Sequence, residues 1–221
     1  MKRLVIFGTG DFARVAAVYF SRDSSYELVG FTADGVDAAG ATLLGRPVVP
    51  FERVRDVYSP DEHEVFVAVG YKRLNRARAE ICARIKNGGY RLASFVSSTV
   101  ISWGEWSHGE HCFILENNVI QPFATLGDNV VLWSGNHIGH DAVVGDHCFI
   151  ASHVVLAGRV QVGEYCFVGV NACVKPGVKI APGCLIGAGA VILNDTKPGS
   201  AHLVKGTPPA PVPAALVEGM L

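Results

Sequence analysis

A chain of 221 residues, 49% apolar and 18% charged, is long enough to build two hydrophobic cores and too apolar to be a disordered segment. A formal net charge of −1 removes the basic field that nucleic acid or an anionic membrane would need, and no apolar run approaches the ~20 residues of a bilayer span. The apolar start of MKRLVIFGTGD is short and lacks a cleavage pattern, so it reads as a buried strand of a cytoplasmic protein.

Residues 1–98 alternate strand and helix signals. RLVIF is a first buried strand. Gly8 to Gly10 turn the chain, and residues 11–21 have helical spacing, with Phe12, Val15, Val18 and Tyr19 on one side. YELVGF is a second strand ending at Asp34-Gly35, RPVV a short third, and EVFVAVG (64–70) a fourth. Residues 73–87 carry a helical pattern through Leu74, Ile81 and Ile85, stopped by Gly88-Gly89, with Arg76 and Arg78 expected on its solvated face. RLASFV is a fifth strand. This alternation predicts an α/β, doubly wound parallel sheet, whose ligands bind at the carboxyl ends of the strands.

Residues 99–200 follow a different rule. From Ile114 to Ile192 every sixth residue is Ile, Leu or Val, without an insertion. Neither a helix nor a plain strand has that period; a parallel β-helix does, with a short strand and a corner in each repeat. The next residue is small in nine of the fourteen repeats, which is read as easing the corner. Three repeats close a triangular coil, so residues eighteen apart stack. Cys112, Cys148, Cys166 and Cys184 then share one column with Val130, as small core residues and not disulfide partners. Trp103 and Trp106 are placed to plug the open end of the coil. The register fails at Pro198, leaving 201–221 as an irregular tail, with a short helix expected over 213–221.

Three stretches have residues suited to chemistry. GTGDFA, Gly8 to Ala13, fits G-x-G-x-x-A between a strand and a helix, where glycines let a phosphate approach the backbone. Asp34, at the end of the second strand, can accept from ribose hydroxyls, and Lys72 and Arg73 end the fourth strand where a diphosphate would lie. A redox dinucleotide enzyme is disfavoured, because only about a hundred residues precede the solenoid. In NHIGHDAVVGDH, His140 is followed by Asp141 and lies one coil from Gly158, so a glycine N–H can serve as an oxyanion donor beside a general base. His111 and His147 are two coils apart, roughly 9.6 Å along the axis, too far for a shared zinc within one chain. A site between subunits that adds His153 ranks below that reading.

The whole chain resembles the NeuD/PglD-type family of sugar O-/N-acyltransferases. The strand, G-x-G-x-x-A turn and helix, the hexapeptide run, HIGHD and the closing IGAGAVILND and VKGTPP carry the likeness in that order. The resemblance implies a left-handed β-helix in a homotrimer, with acetyl-CoA between adjacent solenoids. It implies three parts: a nucleotide-sugar-binding Rossmann-like domain over 1–98, an acyltransferase domain over 99–200, and a tail over 201–221 near the CoA. By matching positions, His140 is the general base, Asp141 orients it, and Gly158 donates to the thioester oxygen. Val170, Ala188, Lys205 and Pro208 fall along the cofactor, and Gly8, Gly10, Asp34 and Lys72 near the nucleotide. The chain departs from the pattern at Asp11 and Phe12, where the family often has Gly-His, and at Arg14, where it often has lysine.

The expected activity is acetyl-CoA-dependent N-acetylation of a nucleotide-linked amino sugar, a 4-amino-4,6-dideoxy hexose, with no metal. O-acetylation of a sugar needs the same base and is the alternative. A metal-dependent hydratase and a non-catalytic nucleotide-binding trimer are more distant readings. No nucleic acid or membrane partner is expected.

Overall fold

The computed structural model describes residues 2–36, 40–209 and 211, so the helix expected over 213–221 lies outside the described residues. The first strand, β1 (Lys2–Phe7), leads into α1 (Asp11–Arg22) and β2 (Tyr26–Ala33). A short hairpin, β3 (Thr42–Leu43) and β4 (Arg46–Pro50), is followed by the single turn α2 (Val54–Val57), β5 (His63–Val67), α3 (Arg76–Asn87) and β6 (Arg91–Leu92). The sheet order is β3-β4-β2-β1-β5-β6, parallel except for the β3–β4 hairpin. Leu4 to Ile6 and Val65 to Val67 are fully buried, which is why RLVIF and EVFV read as unbroken apolar runs.

The expected fifth strand divides. Arg91–Leu92 closes the α/β sheet, whereas Phe95–Val96, β7, opens the solenoid by pairing with Phe113–Ile114. RLASFV is therefore the joint between the two domains.

From there the chain forms a triangular parallel β-helix of two-residue strands in three sheets. Pairing runs in steps of eighteen, as in Phe113–Val131–Phe149–Phe167–Leu185 on the first face and Val119–His137–Val155–Cys173–Val191 on the second. The inward aliphatics and the cysteine column form one continuous core. All six cysteines are free. Cys112, Cys148 and Cys166 each approach a backbone carbonyl fifteen residues on, at 3.1–3.3 Å. The last coil is two residues short, since Ala201–His202 pairs with Leu185–Ile186 at a step of sixteen. Trp106 packs against the core end, but Trp103 is 93% exposed and plugs nothing.

The corner geometry corrects the role given to the small residues. Every sixth residue from Glu105 to Gly189 has a positive φ, and these are mostly not glycine: His111, Asn129, Asp141, His147 and Tyr165 are among them. The small residue sits two positions earlier. At Gly139, Gly145 and Gly169 a Cβ would lie 2.5–2.8 Å from backbone nitrogen of the next coil. Smallness there is demanded by stacking, and the left-handed turn is tolerated by whatever residue follows.

The first face of the prism is covered. Phe95, Phe113, Val131 and Phe149 pack against Phe20 and Phe66 of the α/β domain, with Phe12 and Tyr19 of α1 alongside. Phe113 lies 4.9–6.1 Å from the rings of Phe12, Tyr19, Phe20, Phe66 and Phe95. Burying a side chain of this size stabilises by roughly 1.5–3 kcal/mol, so this layer welds the two domains.

Candidate active site

His140 stands at the corner between the strands His137–Ile138 and Val143–Val144. Its backbone is fixed on both sides: the N–H donates to Gln121 Oε1 at 2.9 Å, and the carbonyl accepts from Arg159 N–H at 2.8 Å. Its Nδ1 lies 2.7 Å from Asp141 Oδ2. Asp141 adopts the left-handed corner conformation (φ 56°), which aspartate tolerates well, and this turns its carboxylate back onto the preceding ring. With Nδ1–H donated to the carboxylate, Nε2 carries the lone pair, as a general base requires. Both side chains are 52% exposed.

Nε2 faces Gly158 on the next coil. A Cβ built on Gly158 would lie 2.8 Å from both Cδ2 and Cε1 of His140, and closer still to Nε2. The Gly158 N–H has no acceptor among the described residues, although its carbonyl accepts from Gly177 at 3.0 Å. A base, the acid that orients it and a free N–H therefore meet at one corner. Gln121 and Gly139 belong to this corner as well, and the sequence reading missed them. Gly139 lets the Gly158 backbone come within 2.5 Å of where its own Cβ would be. Its signal was present, because it is one of the small residues that follow an inward aliphatic.

Val170 and Ala188 occupy a different edge of the prism, between the first and second faces. There they line a groove of about 370 Å³ with Tyr71, Trp133, Phe149 and Phe167. One chain does not bring them to His140. Lys205 and Pro208 are exposed in a segment without regular structure beyond His202.

In the α/β domain, Gly8 (φ 119°) needs to be glycine, since a Cβ would fall 2.9 Å from the Ala68 carbonyl. Gly10 is the N-cap of α1 and faces open space. Asp34 does not stand free at the end of β2: Arg84 binds both its oxygens at 2.8 Å, while lying 4.2 Å from the Phe51 ring. Lys72 is exposed just past the end of β5.

The largest correction concerns Arg78, expected on a solvated face and in fact 0% exposed. Its guanidinium donates to Asn129 Oδ1 at 2.8 Å, Asn75 Oδ1 at 3.1 Å and the carbonyls of Gly70, Asn129, His147 and Cys148. Burial lowers its pKa to about 10, which leaves it charged at neutral pH. His111 is part of the same seam. It accepts from Val67 N–H at 2.8 Å and bonds Asn129 Oδ1 at 2.8 Å, and Asn129 in turn reaches His147 Nδ1 at 2.9 Å. Burial, aided by the charge of Arg78, depresses the His111 pKa to about 3. His111 and His147 thus serve an interdomain hydrogen-bond ladder. His153 lies on another edge, and among the described residues no three His, Cys, Asp or Glu side chains converge to hold a metal. No described helix is long and apolar enough to cross a membrane.

Fold and corner together define an acyltransferase of the hexapeptide class. Residues 3–85 match the model of the PglD N-terminal domain, and residues 123–158 and 159–194 match bacterial transferase hexapeptide repeats. The chain belongs to the NeuD/PglD-type sugar acyltransferase family, an α/β domain joined to a left-handed parallel β-helix. PerB from Caulobacter crescentus, solved with CoA and GDP-perosamine, is similar at 27% identity over 88% of this chain and 90% of its own, with a TM-score of 0.76. The acetyltransferase domain of PglB from Neisseria gonorrhoeae shares the fold at 23% identity, covering 91% and 97%, with a TM-score of 0.79. WeeI from Acinetobacter baumannii does so at 19%, covering 91% and 96%, with a TM-score of 0.78. No curated protein sequence matches the chain.

Proposed function

We propose that the protein is an acetyl-CoA-dependent N-acetyltransferase of a nucleotide-linked amino sugar, a 4-amino-4,6-dideoxy hexose. The observation that carries this reading is the His140 corner, where Nε2 faces Gly158, whose N–H has no acceptor among the described residues, while Asp141 holds Nδ1. The similarity to PerB, whose structure holds CoA and GDP-perosamine, supports the ligand classes.

An ammonium has no lone pair. The ammonium therefore first gives one proton to solvent, and His140 Nε2 removes a second from nitrogen as the neutral amine attacks the thioester carbonyl carbon. The charge that develops on the carbonyl oxygen falls to the Gly158 N–H, which has no competing acceptor. Collapse breaks the carbon–sulfur bond, and the imidazolium can return its proton to the departing thiolate. Asp141 keeps the imidazole in the productive tautomer and steadies its charged form.

The second face supports a homotrimer. Its outward column reads Ile101, Val119, His137, Val155, Cys173 and Val191, with Ile101, Val155 and Val191 strongly exposed in the single chain. The third face is more polar, with Ser107, Thr125, Gln161 and Lys179 around one exposed valine, Val143. Packing the apolar faces around a threefold axis would complete the cofactor cleft, joining the His140 edge of one copy to the Val170–Ala188 groove of another. Gly8, Gly10, Asp34 and Lys72 would then hold the nucleotide, Lys205 and Pro208 would flank the CoA, and a cytoplasmic location fits both ligands.

The test is a panel of UDP-, dTDP-, GDP- and CMP-linked amino sugars incubated with acetyl-CoA and the purified full chain, read by product mass before and after mild alkali, which cleaves an acetate ester and spares an amide. Mass gain of one acetyl group on nitrogen is expected. Acetylation of a hydroxyl, or no transfer to any acceptor, would overturn the reading.

A further inference from the structure

We infer that Asn75 and Arg78 are positioning residues for the nucleotide diphosphate. They lock the loop Gly70–Asn75, and Lys72 within it, onto the solenoid. The inference rests on the proposed placement of the nucleotide in the α/β domain.

The loop follows β5, beside the Gly8 turn, where a Cβ would fall 2.9 Å from the Ala68 carbonyl. It is an unusual conformation to maintain. Arg73, Leu74 and Asn75 have φ of 55°, 49° and 65°, three left-handed residues in succession, none a glycine. Backbone strain of this kind persists only where the surroundings impose it, and it concentrates at ligand sites. Two buried side chains impose it here. Asn75, fully buried, donates from Nδ2 to the Cys166 carbonyl at 3.0 Å. Its Oδ1 accepts from Arg78, and the same guanidinium nitrogen reaches back to the Gly70 carbonyl at 3.2 Å. One group therefore ties both ends of the loop, and Asn129 and Cys148 of the solenoid hold that group in turn. Between the tied ends, Tyr71 lies against Phe149 and Phe167 at 5.2 and 4.7 Å, and Lys72 is left exposed.

Docking the domains does not by itself require three left-handed residues in succession in this loop. A buried arginine is also a poor choice of strut, because hydrocarbon would avoid its desolvation cost. No carboxylate lies within ion-pair distance of Arg78 among the described residues. Its charge is thus met by carbonyl and amide oxygens and not by a counter-ion. Lys72 is presented by a loop whose conformation is set before the diphosphate arrives, which lowers the ordering cost of binding.

The test is calorimetric titration of the full chain with UDP, GDP and dTDP, and separately with acetyl-CoA. Asn75→Gly keeps the left-handed conformation at no steric cost and removes only the amide. It should weaken the diphosphate that wild type binds by about tenfold, the worth of the two lost hydrogen bonds, and leave acetyl-CoA within twofold. Asn75→Ala, which also resists the positive φ, should weaken it further. In a Lys72→Ala background Asn75→Gly should add little, because the loop's other cation, Arg73, is already paired with Glu80. Full additivity with Lys72→Ala, unchanged diphosphate affinity, or parallel loss of both ligands with the melting temperature would each overturn the inference, the last by making the role purely structural. Wild type that binds none of the three diphosphates would overturn the nucleotide reading itself.

Discussion

Gly158→Ala isolates the proposed catalytic corner. A plain sequence argument expects this change to be mild, since alanine keeps the N–H and adds one methyl group. The structure argues otherwise. The added Cβ would stand 2.8 Å from two ring carbons of His140 and nearer to Nε2, where ordinary contacts begin at 3.4 Å. Gly158 has no positive φ, so alanine meets no backbone penalty and the clash is the whole perturbation. The side that can yield is the half-exposed imidazole, which would swing toward solvent and away from both Asp141 and the N–H. A movement of about 1 Å at a reacting group costs about 100-fold, or about 2.7 kcal/mol in the barrier. Stability should change by less than about 0.5 kcal/mol, because no core atom moves. The assay pairs steady-state kcat on the acceptor found by the panel with thermal melts. A Gly158→Ala enzyme with wild-type melting and kcat within a few-fold of wild type would refute the contact between Gly158 and the base.

His140→Ala should lower kcat by ~10²–10⁴ with little change in KM for acetyl-CoA, and Asp141→Asn should cost less, because it removes orientation and not the base; equal losses would mean that the imidazole cannot act at all without Asp141 to hold its tautomer. Asp34→Ala should raise KM for the nucleotide sugar and spare acetyl-CoA, and the opposite pattern would exchange the ligands between the domains. His111, with a pKa of about 3 when folded and near 6.5 when unfolded, binds fewer protons in the native state across that window. Its share of stability is complete above pH 6.5 and is lost as pH falls toward 3, roughly 2 kcal/mol of it by pH 5. His111→Asn should be less stable at pH 7 but show a flatter pH dependence in urea melts between pH 7 and 5, and an unchanged slope would remove His111 as the source.

The sequence by itself determined the solenoid, because a β-helix repeats one local environment. Each aliphatic from Ile114 to Ile192 meets its own kind eighteen residues away, so period and register follow from the chain alone. The same arithmetic placed His140 beneath Gly158 and made Asp141 its neighbour, since sequence adjacency and coil stacking are both local rules. The tertiary structure alone decided what lies between the domains. Arg78 has the helical spacing of a surface residue, and only the docking of α3 on the corner of Asn129 and His147 buries it. Asp34 reads as a free carboxylate until α3 brings Arg84 to it from fifty residues away. The spacing of His111 from His147 argues only against a shared zinc, and its burial comes from Val67 and Asn129 closing around its ring. Periodicity reports a residue's relation to its own element. A polar side chain whose partners lie across a domain seam leaves no periodic trace, because its burial depends on how two independently patterned surfaces meet.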